Sequence, residues 1–210
     1  MNIAMIFAGG RGVRMGSGIP KQFLEIHGKP VLVHTLELFQ EHDMIYISVL
    51  EDYIGKTQKL VDRYGLDKVV SIIPGGATAQ DSIYNVLKDA EKENDGDSIV
   101  LLHDGVRPFV SYDTIKQNIE SVQKYGSAIT CTACYETILL SKSGEKVDSV
   151  PYRKDTFAAQ APQSFRLKDI IAAHDEVRAI NPSYENMVDA CTIMTTLGKE
   201  VHMISGNRGN

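Results

Sequence analysis

Three cations, Arg11, Arg14 and Lys21, fall within eleven positions of one another beside Gly9, Gly10, Gly12 and Gly16. Arginine grips two phosphate oxygens at once, and glycine lets backbone N–H groups close on an anion, so this combination suits a bound polyphosphate. A structural turn carrying solvated cations would have the same composition, and the spacing has to discriminate. No Lys-Ser or Lys-Thr follows a glycine at the G-x-x-x-x-G-K-[ST] offset, which argues against a Walker loop. A G-x-G-x-x-G fingerprint starting at Gly10 ends on Met15 instead of glycine, and Ile19-Pro20 interrupts the helix it should open, which argues against a dinucleotide site.

A second candidate is Asp104, between an apolar run and Gly105. A carboxylate there can hold a divalent cation that bridges phosphate oxygens, and Mg2+ needs only one or two carboxylates besides the phosphates. It can equally be a turn residue, and Arg107 its ion-pair partner. Cys131-Thr132-Ala133-Cys134 has C-x-x-C spacing but lies in a strand-like run, where positions three apart face opposite ways. The histidines show no metal-ligand spacing, and His34 sits in an apolar helical pattern that makes it structural.

The elements that must position these residues alternate. Ile3–Phe7 reads as a buried strand. Pro30 opens a helical pattern through Leu32, Val33, Leu36 and Phe39, followed by a strand at Met44–Leu50. A helix through Ile54 and Val61 leads to a strand at Val69–Ile73. Gly75-Gly76 turns into a helix carrying Ile83, Val86 and Leu87, and strands at Ser98–His103 and Ser127–Ala133 flank another helix. This order predicts an α/β fold, Rossmann-like, with a mainly parallel sheet and helices on both faces. Ligands of such sheets sit beyond the carboxyl ends of the strands, where the loops after Ala8, before Gly75 and at Asp104 can line one crevice. Ile138–Leu140 and Lys146–Val150 flank Ser141–Glu145 as a hairpin, and a β-arm over about 134–163 is expected to project from the sheet. Helices over Leu167–Ala179 and Met187–Leu197 and a strand at Glu200–Ile204 complete the chain, which is expected to form one domain over 1–210.

Composition narrows the function. The net charge of −5 argues against a nucleic-acid binder, yet residues 1–35 carry +3 and the remainder −8, so positive charge gathers where an anion would sit. No apolar run approaches a membrane span, no signal peptide is visible, and three cysteines form no disulfide framework; a cytoplasmic protein is expected.

Ala8–Met15 with Pro20-Lys21-Gln22-Phe23 resembles the signature of the nucleotidyltransferases that join CTP to a polyol phosphate, the group containing the 2-C-methylerythritol 4-phosphate and ribitol 5-phosphate cytidylyltransferases. Gly75-Gly76, Ser82, His103–Pro108, Ala161–Phe165 and Asp189-Ala190 recur in the same order, so the likeness spans nearly the whole chain. It implies transfer of CMP from CTP with release of pyrophosphate, a Mg2+ ion on Asp104, and Arg14 and Lys21 at the triphosphate as catalytic residues. It further implies Ala8, Gly9, Gly10, Gly12, Gly75, Gly76, Ser82 and Gly105 around the nucleotide, and Arg107, Thr137 and Arg153 at the acceptor. Thr137 and Arg153 would come from the arm of a second subunit in a homodimer.

Some positions depart from the family pattern. Ala79 stands where an arginine is common, with Gln80 as a possible substitute, and Ala161 replaces a threonine. The family continues past this chain's Asn207-Arg208-Gly209-Asn210 into a segment with a second transition-state lysine, so residues 1–210 alone are expected to turn over poorly. Val106–Phe109 and Gln163–Phe165 lean toward ribitol 5-phosphate as acceptor, with 2-C-methyl-D-erythritol 4-phosphate the alternative. A nucleotide-binding module without catalysis is the reading from a different class.

Overall fold

The computed structural model describes residues 1–10 and 19–210. Its strands are β1 (Asn2–Ala8), β2 (Glu25–Ile26), β3 (Lys29–Pro30), β4 (Met44–Val49), β5 (Val69–Pro74), β6 (Ile99–Asp104), β7 (Ser127–Ala133), β8 (Phe157–Arg166) and β9 (Met203–Ser205). Its helices are α1 (Val31–Glu37), α2 (Ile54–Tyr64), α3 (Ala79–Glu91), α4 (Tyr112–Tyr125), α5 (Leu167–Ile180) and α6 (Ala190–Thr196).

Successive side chains of a strand point to opposite faces, and β1 is apolar at both parities, so it must be covered on both sides. Ile3 and Met5 join a buried cluster with Val86 and Leu87 of α3, Ile170 of α5 and Ile193 of α6. Ala4, Ile6 and Ala8 join another with Leu32 and Leu36 of α1, Val61 of α2 and Val122 of α4. Between the layers lies a seven-stranded sheet in the order β5-β4-β1-β6-β8-β7-β9. β5, β4, β1 and β6 run parallel, β8 runs antiparallel to both neighbours, and β9 is parallel to β7. The expected Rossmann-like, mainly parallel architecture is the one observed.

The parallel register brings the strand ends level. Phe7 pairs with Asp104, Ala8 with Val49, and Val49 with Pro74. The chain therefore leaves β1, β4, β5 and β6 along one edge, the place where open α/β sheets take ligands.

Several boundaries differ from expectation; the last strand, for one, starts at Met203 where Glu200 was expected. α6 starts at Ala190 because Asp189 caps it, accepting from Thr192 N at 2.8 Å and Thr192 Oγ1 at 2.7 Å. Pro30 precedes α1 as its cap residue in an extended conformation. The arm is the larger correction: within 134–156 the hairpin reduces to one bridge, Leu140 with Ser149, and Phe157–Gln163 belong to the main sheet as the start of β8. A two-stranded ribbon has too little to pack on alone, and here Tyr135, Leu139, Val147 and Tyr152 are all exposed.

Candidate active site

One wall of the site is the turn from β5 into α3. Gly75 N donates to Val49 O at 2.8 Å, and Gly76 N donates to Ser82 Oγ at 2.9 Å, whose hydroxyl in turn donates to Thr78 O at 3.0 Å. A Cβ on Gly76 would run into the Cβ of Asp81, so only glycine lets the chain lie this close to the helix. Thr78 and Asp81 form a reciprocal cap: Thr78 Oγ1 accepts from Asp81 N at 3.0 Å, and Asp81 Oδ2 accepts from Thr78 N at 3.2 Å. The turn thus presents a fixed helix N-terminus, with its partial positive charge, to the open space.

The opposite wall follows β6. Gly105 N donates to Phe7 O at 2.8 Å and Thr35 Oγ1 donates to Gly105 O at 3.1 Å, tying the turn to β1 and α1. Arg107 N donates to Asp104 O at 3.1 Å, and Arg107 Nε to Asp104 Oδ2 at 2.7 Å. Arg107 Nη1 also donates to Asn210 O at 3.0 Å. His103 Nε2 lies 3.0 Å from Arg107 O; a carbonyl can only accept, so this nitrogen carries the proton. Burial pushes His103 down to about 4, which keeps the ring neutral at pH 7.

The floor is laid by the short turn Lys21–Phe23. Gln22 is buried and its Nε2 donates to Ala8 O at 2.5 Å, while Lys21 stays exposed.

Two cavities meet between these walls, of about 700 Å³ and about 500 Å³. Gly9, Gly10, Gly75, Gly76 and Ser82 line the larger; Ala8, Gly10 and Lys21 line the smaller. Asp104 and Arg107 line both and form the ridge between them. Gly105 lines neither and acts beneath the ridge. Thr137 and Arg153 also line neither; both are exposed on the 134–156 segment, where Arg153 Nη1 reaches Tyr135 O at 3.4 Å. Within this single chain they are not part of the site. Arg11, Gly12 and Arg14 lie outside the described residues. Gln80, the suggested substitute for the missing arginine, is buried away from both cavities.

Sequence reasoning passed over Gln160, Gln163 and Asp189, which line the larger cavity from β8 and the start of α6. Gln163 Nε2 donates to Asp189 Oδ2 at 3.0 Å and its Oε1 accepts from Cys191 N at 3.0 Å, fastening α6 to the sheet. Both Gln163 and Asp189 stand in the quoted motifs. Only the pairing across β8 reveals that they share a wall.

Among the described residues no three His, Cys, Asp or Glu side chains converge as a metal cage. The Asp104 carboxylate is 52% exposed and faces both cavities, which fits a Mg2+ ion held by one carboxylate and by substrate phosphates.

The family model for 2-C-methyl-D-erythritol 4-phosphate cytidylyltransferase (IspD) matches residues 2–210. This chain belongs to that family. The relatives include ribitol-5-phosphate cytidylyltransferase of Vibrio parahaemolyticus, 44% identical over 98% of this chain and 87% of that protein. Another is 2-C-methyl-D-erythritol 4-phosphate cytidylyltransferase of Clostridium botulinum strain Okra, 38% identical over 100% of this chain and 90% of that protein. Among solved structures, 4-diphosphocytidyl-2C-methyl-D-erythritol synthase of Anaerococcus prevotii superposes with a TM-score of 0.82 at 27% identity, covering 100% of this chain and 88% of that one. As a member of the IspD family the chain is a CTP-dependent cytidylyltransferase acting on a polyol or sugar phosphate. The family uses a divalent metal, commonly Mg2+. Among the described residues no helix is long and apolar enough to cross a membrane.

Proposed function

We propose that the larger cavity takes the cytidine of CTP, that the triphosphate runs along the glycine loop toward Lys21, and that the acceptor phosphate approaches Arg107. The shared Asp104–Arg107 ridge carries this reading, because two anionic reactants must meet at one boundary and each cavity supplies one side of it. An oxygen of the acceptor phosphate attacks the α-phosphorus of CTP, a new P–O bond forms, and the bond to the β-phosphate bridging oxygen breaks to release pyrophosphate. The attacking oxygen is already anionic near neutral pH, so the protein has to align the partners and neutralise charge, with no base or covalent nucleophile required. Lys21 and Arg14 would stabilise the charge on the transferring phosphoryl group, and the α3 N-terminus with Ser82 would hold base and ribose. A divalent ion on Asp104 would add positive charge beside the phosphate oxygens. Cytoplasmic action fits the unpaired Cys131, Cys134 and Cys191.

For the acceptor, the family model spanning the chain and the solved relatives favour 2-C-methyl-D-erythritol 4-phosphate, more broadly than the motif-based lean toward ribitol 5-phosphate is supported. D-ribitol 5-phosphate stays as the second reading because relatives of that name reach 44% and 40% identity. A homodimer would bring Thr137 and Arg153 of the 134–156 segment to a neighbouring site, and the exposed Tyr135, Leu139 and Tyr152 supply apolar surface for it.

The deciding experiment measures pyrophosphate release from CTP with each polyol phosphate in turn. Release with one acceptor names the substrate. CTP binding without release from any acceptor would instead favour a nucleotide-binding module.

A further inference from the structure

Behind the nucleotide wall lies a group of side chains that the reaction as described does not use. Arg178 of α5 donates from Nη1 to Asp81 Oδ1 at 3.0 Å, across 97 residues of sequence. Its guanidinium stacks over Tyr84, 4.5 Å from the ring centre, and lies 5.5 Å from the ring of Tyr184. Tyr84 Oη donates to Asp175 Oδ1 at 2.7 Å, and Tyr184 Oη is 2.7 Å from Nδ1 of the buried His174. Arg178 therefore lies against two tyrosines, each tied by its hydroxyl to a side chain of α5, and it points at a single carboxylate.

Asp81 divides its two oxygens between two tasks. Oδ2 closes the cap with Thr78, at 2.9 Å from Oγ1 and 3.2 Å from the backbone N, and Oδ1 is left for Arg178. Asp81 lines neither cavity, but its Cβ abuts the space a Gly76 side chain would need, and Thr78, Ala79 and Ser82 on either side of it do line the larger one. A bare carboxylate at this place would act against a triphosphate in two ways. It would repel the approaching anion, and with one oxygen unpaired it would be free to leave the cap that sets the Gly76–Ser82 turn.

We propose that Arg178 is a positioning residue for CTP: it neutralises Asp81 and clamps the α3 N-terminus from behind, so that the Gly76–Ser82 turn meets the nucleotide preformed. The inference rests on the reading of this turn as the nucleotide wall. It predicts a loss confined to CTP, since nothing in the group reaches the acceptor side of the Asp104–Arg107 ridge.

The test is steady-state kinetics of Arg178→Met, which keeps apolar bulk against Tyr84 and Tyr184 and removes the charge, alongside Arg178→Lys and the double variant with Asp81→Asn. Arg178→Met should raise KM for CTP about fivefold, the upper end of what a partly exposed ion pair is worth, with kcat and the acceptor KM within about twofold. The defect should shrink as ionic strength rises toward about 0.5 M, because the repulsion is screened. Arg178→Lys should recover part of the loss, and Asp81→Asn in the Arg178→Met background should return KM for CTP to near that of Asp81→Asn alone. An unchanged KM for CTP, or a loss that salt and Asp81→Asn leave intact, overturns the proposal. Should Arg178→Met fail to fold, Arg178→Lys and Asp81→Asn carry the same comparison. Gly76→Val separates the two levels: if it leaves KM for CTP unchanged, the nucleotide wall itself is misassigned; if it raises KM and Arg178→Met does not, only the role of Arg178 falls.

Discussion

Replacing Gly105 by alanine probes the packing on which the ridge stands. The added Cβ would sit 3.1 Å from Ala8 Cβ, 3.1 Å from Leu32 Cδ1 and 3.2 Å from Phe7 O, each a few tenths of an ångström inside ordinary contact. Leu32 is a side-chain tip, but it is fully buried in α1; Phe7 and Ala8 belong to β1, hydrogen-bonded on both sides by β4 and β6, and cannot recede. Overpacking of this kind costs about 1–3 kcal/mol. Alanine returns about 0.4–1 kcal/mol by restricting the unfolded chain, which leaves a net loss of about 1–2 kcal/mol. For a chain of this length that is a fall in Tm of about 3–6 °C. The turn can relieve the contact only by moving outward, which stretches the Gly105 N to Phe7 O hydrogen bond and shifts Asp104 and Arg107 together. Misplacement by a fraction of an ångström should lower kcat/KM about tenfold. Thermal denaturation and pyrophosphate release on the same preparation measure both. A variant with Tm unchanged to within about 1 °C, or destabilised as expected yet fully active, would refute the claim that this packing sets the ridge.

Three further expectations concern other parts of the molecule. Lys21→Ala should cut kcat by about 100-fold or more with the fold intact, as loss of a transition-state cation does, and turnover near the original rate would remove Lys21 from the mechanism. His174 is buried and its pKa is pushed down to about 4 by desolvation, so the unfolded chain binds a proton that the folded one refuses as pH falls below 6.5. Stability contributed in this way is present above pH 6.5 and is lost on the way down to about 4; between pH 7 and 5 the loss is about 2 kcal/mol, and urea midpoints for His174→Gln should show a flatter slope across that window. Asn118 is fully buried, donating to Thr114 O and Thr130 Oγ1 at 2.9 Å each and accepting from Ser164 Oγ at 3.0 Å. Asn118→Leu strands these partners and should cost about 2–3 kcal/mol in a urea titration.

The parts of the fold that were legible in the sequence are those written in local periodicity. β1, β4 and β6 declare themselves as apolar runs, β7 as an alternating one, and α3 as the apolar pattern of Ile83, Val86 and Leu87 after Gly75-Gly76. The hairpin expected between 138–140 and 146–150 forms there as a single antiparallel bridge, because its residues have strand propensity without a surface to pack on, and propensity alone does not extend a two-stranded ribbon. The cavity lining was legible where one turn supplies both backbone and side chain, as at Gly75–Ser82 and Asp104–Arg107. It was hidden where a wall is made by strands meeting side by side. Gln163 sits opposite Leu102 on one neighbour and Ile129 on the other, a juxtaposition decided by sheet order that no local pattern encodes. Arg178 was invisible for the same reason, since its partner Asp81 lies 97 residues away.

The reversed direction of β8 in the sheet also bears on how the protein is made. Chain up to Asp104 already contains β5, β4, β1 and β6, a self-consistent parallel half with the Gly75–Ser82 turn in place. The remaining side of the larger cavity comes from Gln160, Gln163 and Asp189, which leave the ribosome much later. Until those residues emerge, the edge of β6 that β8 covers has no partner strand and the sheet face that α5 and α6 cover is bare, a surface open to unwanted strand addition.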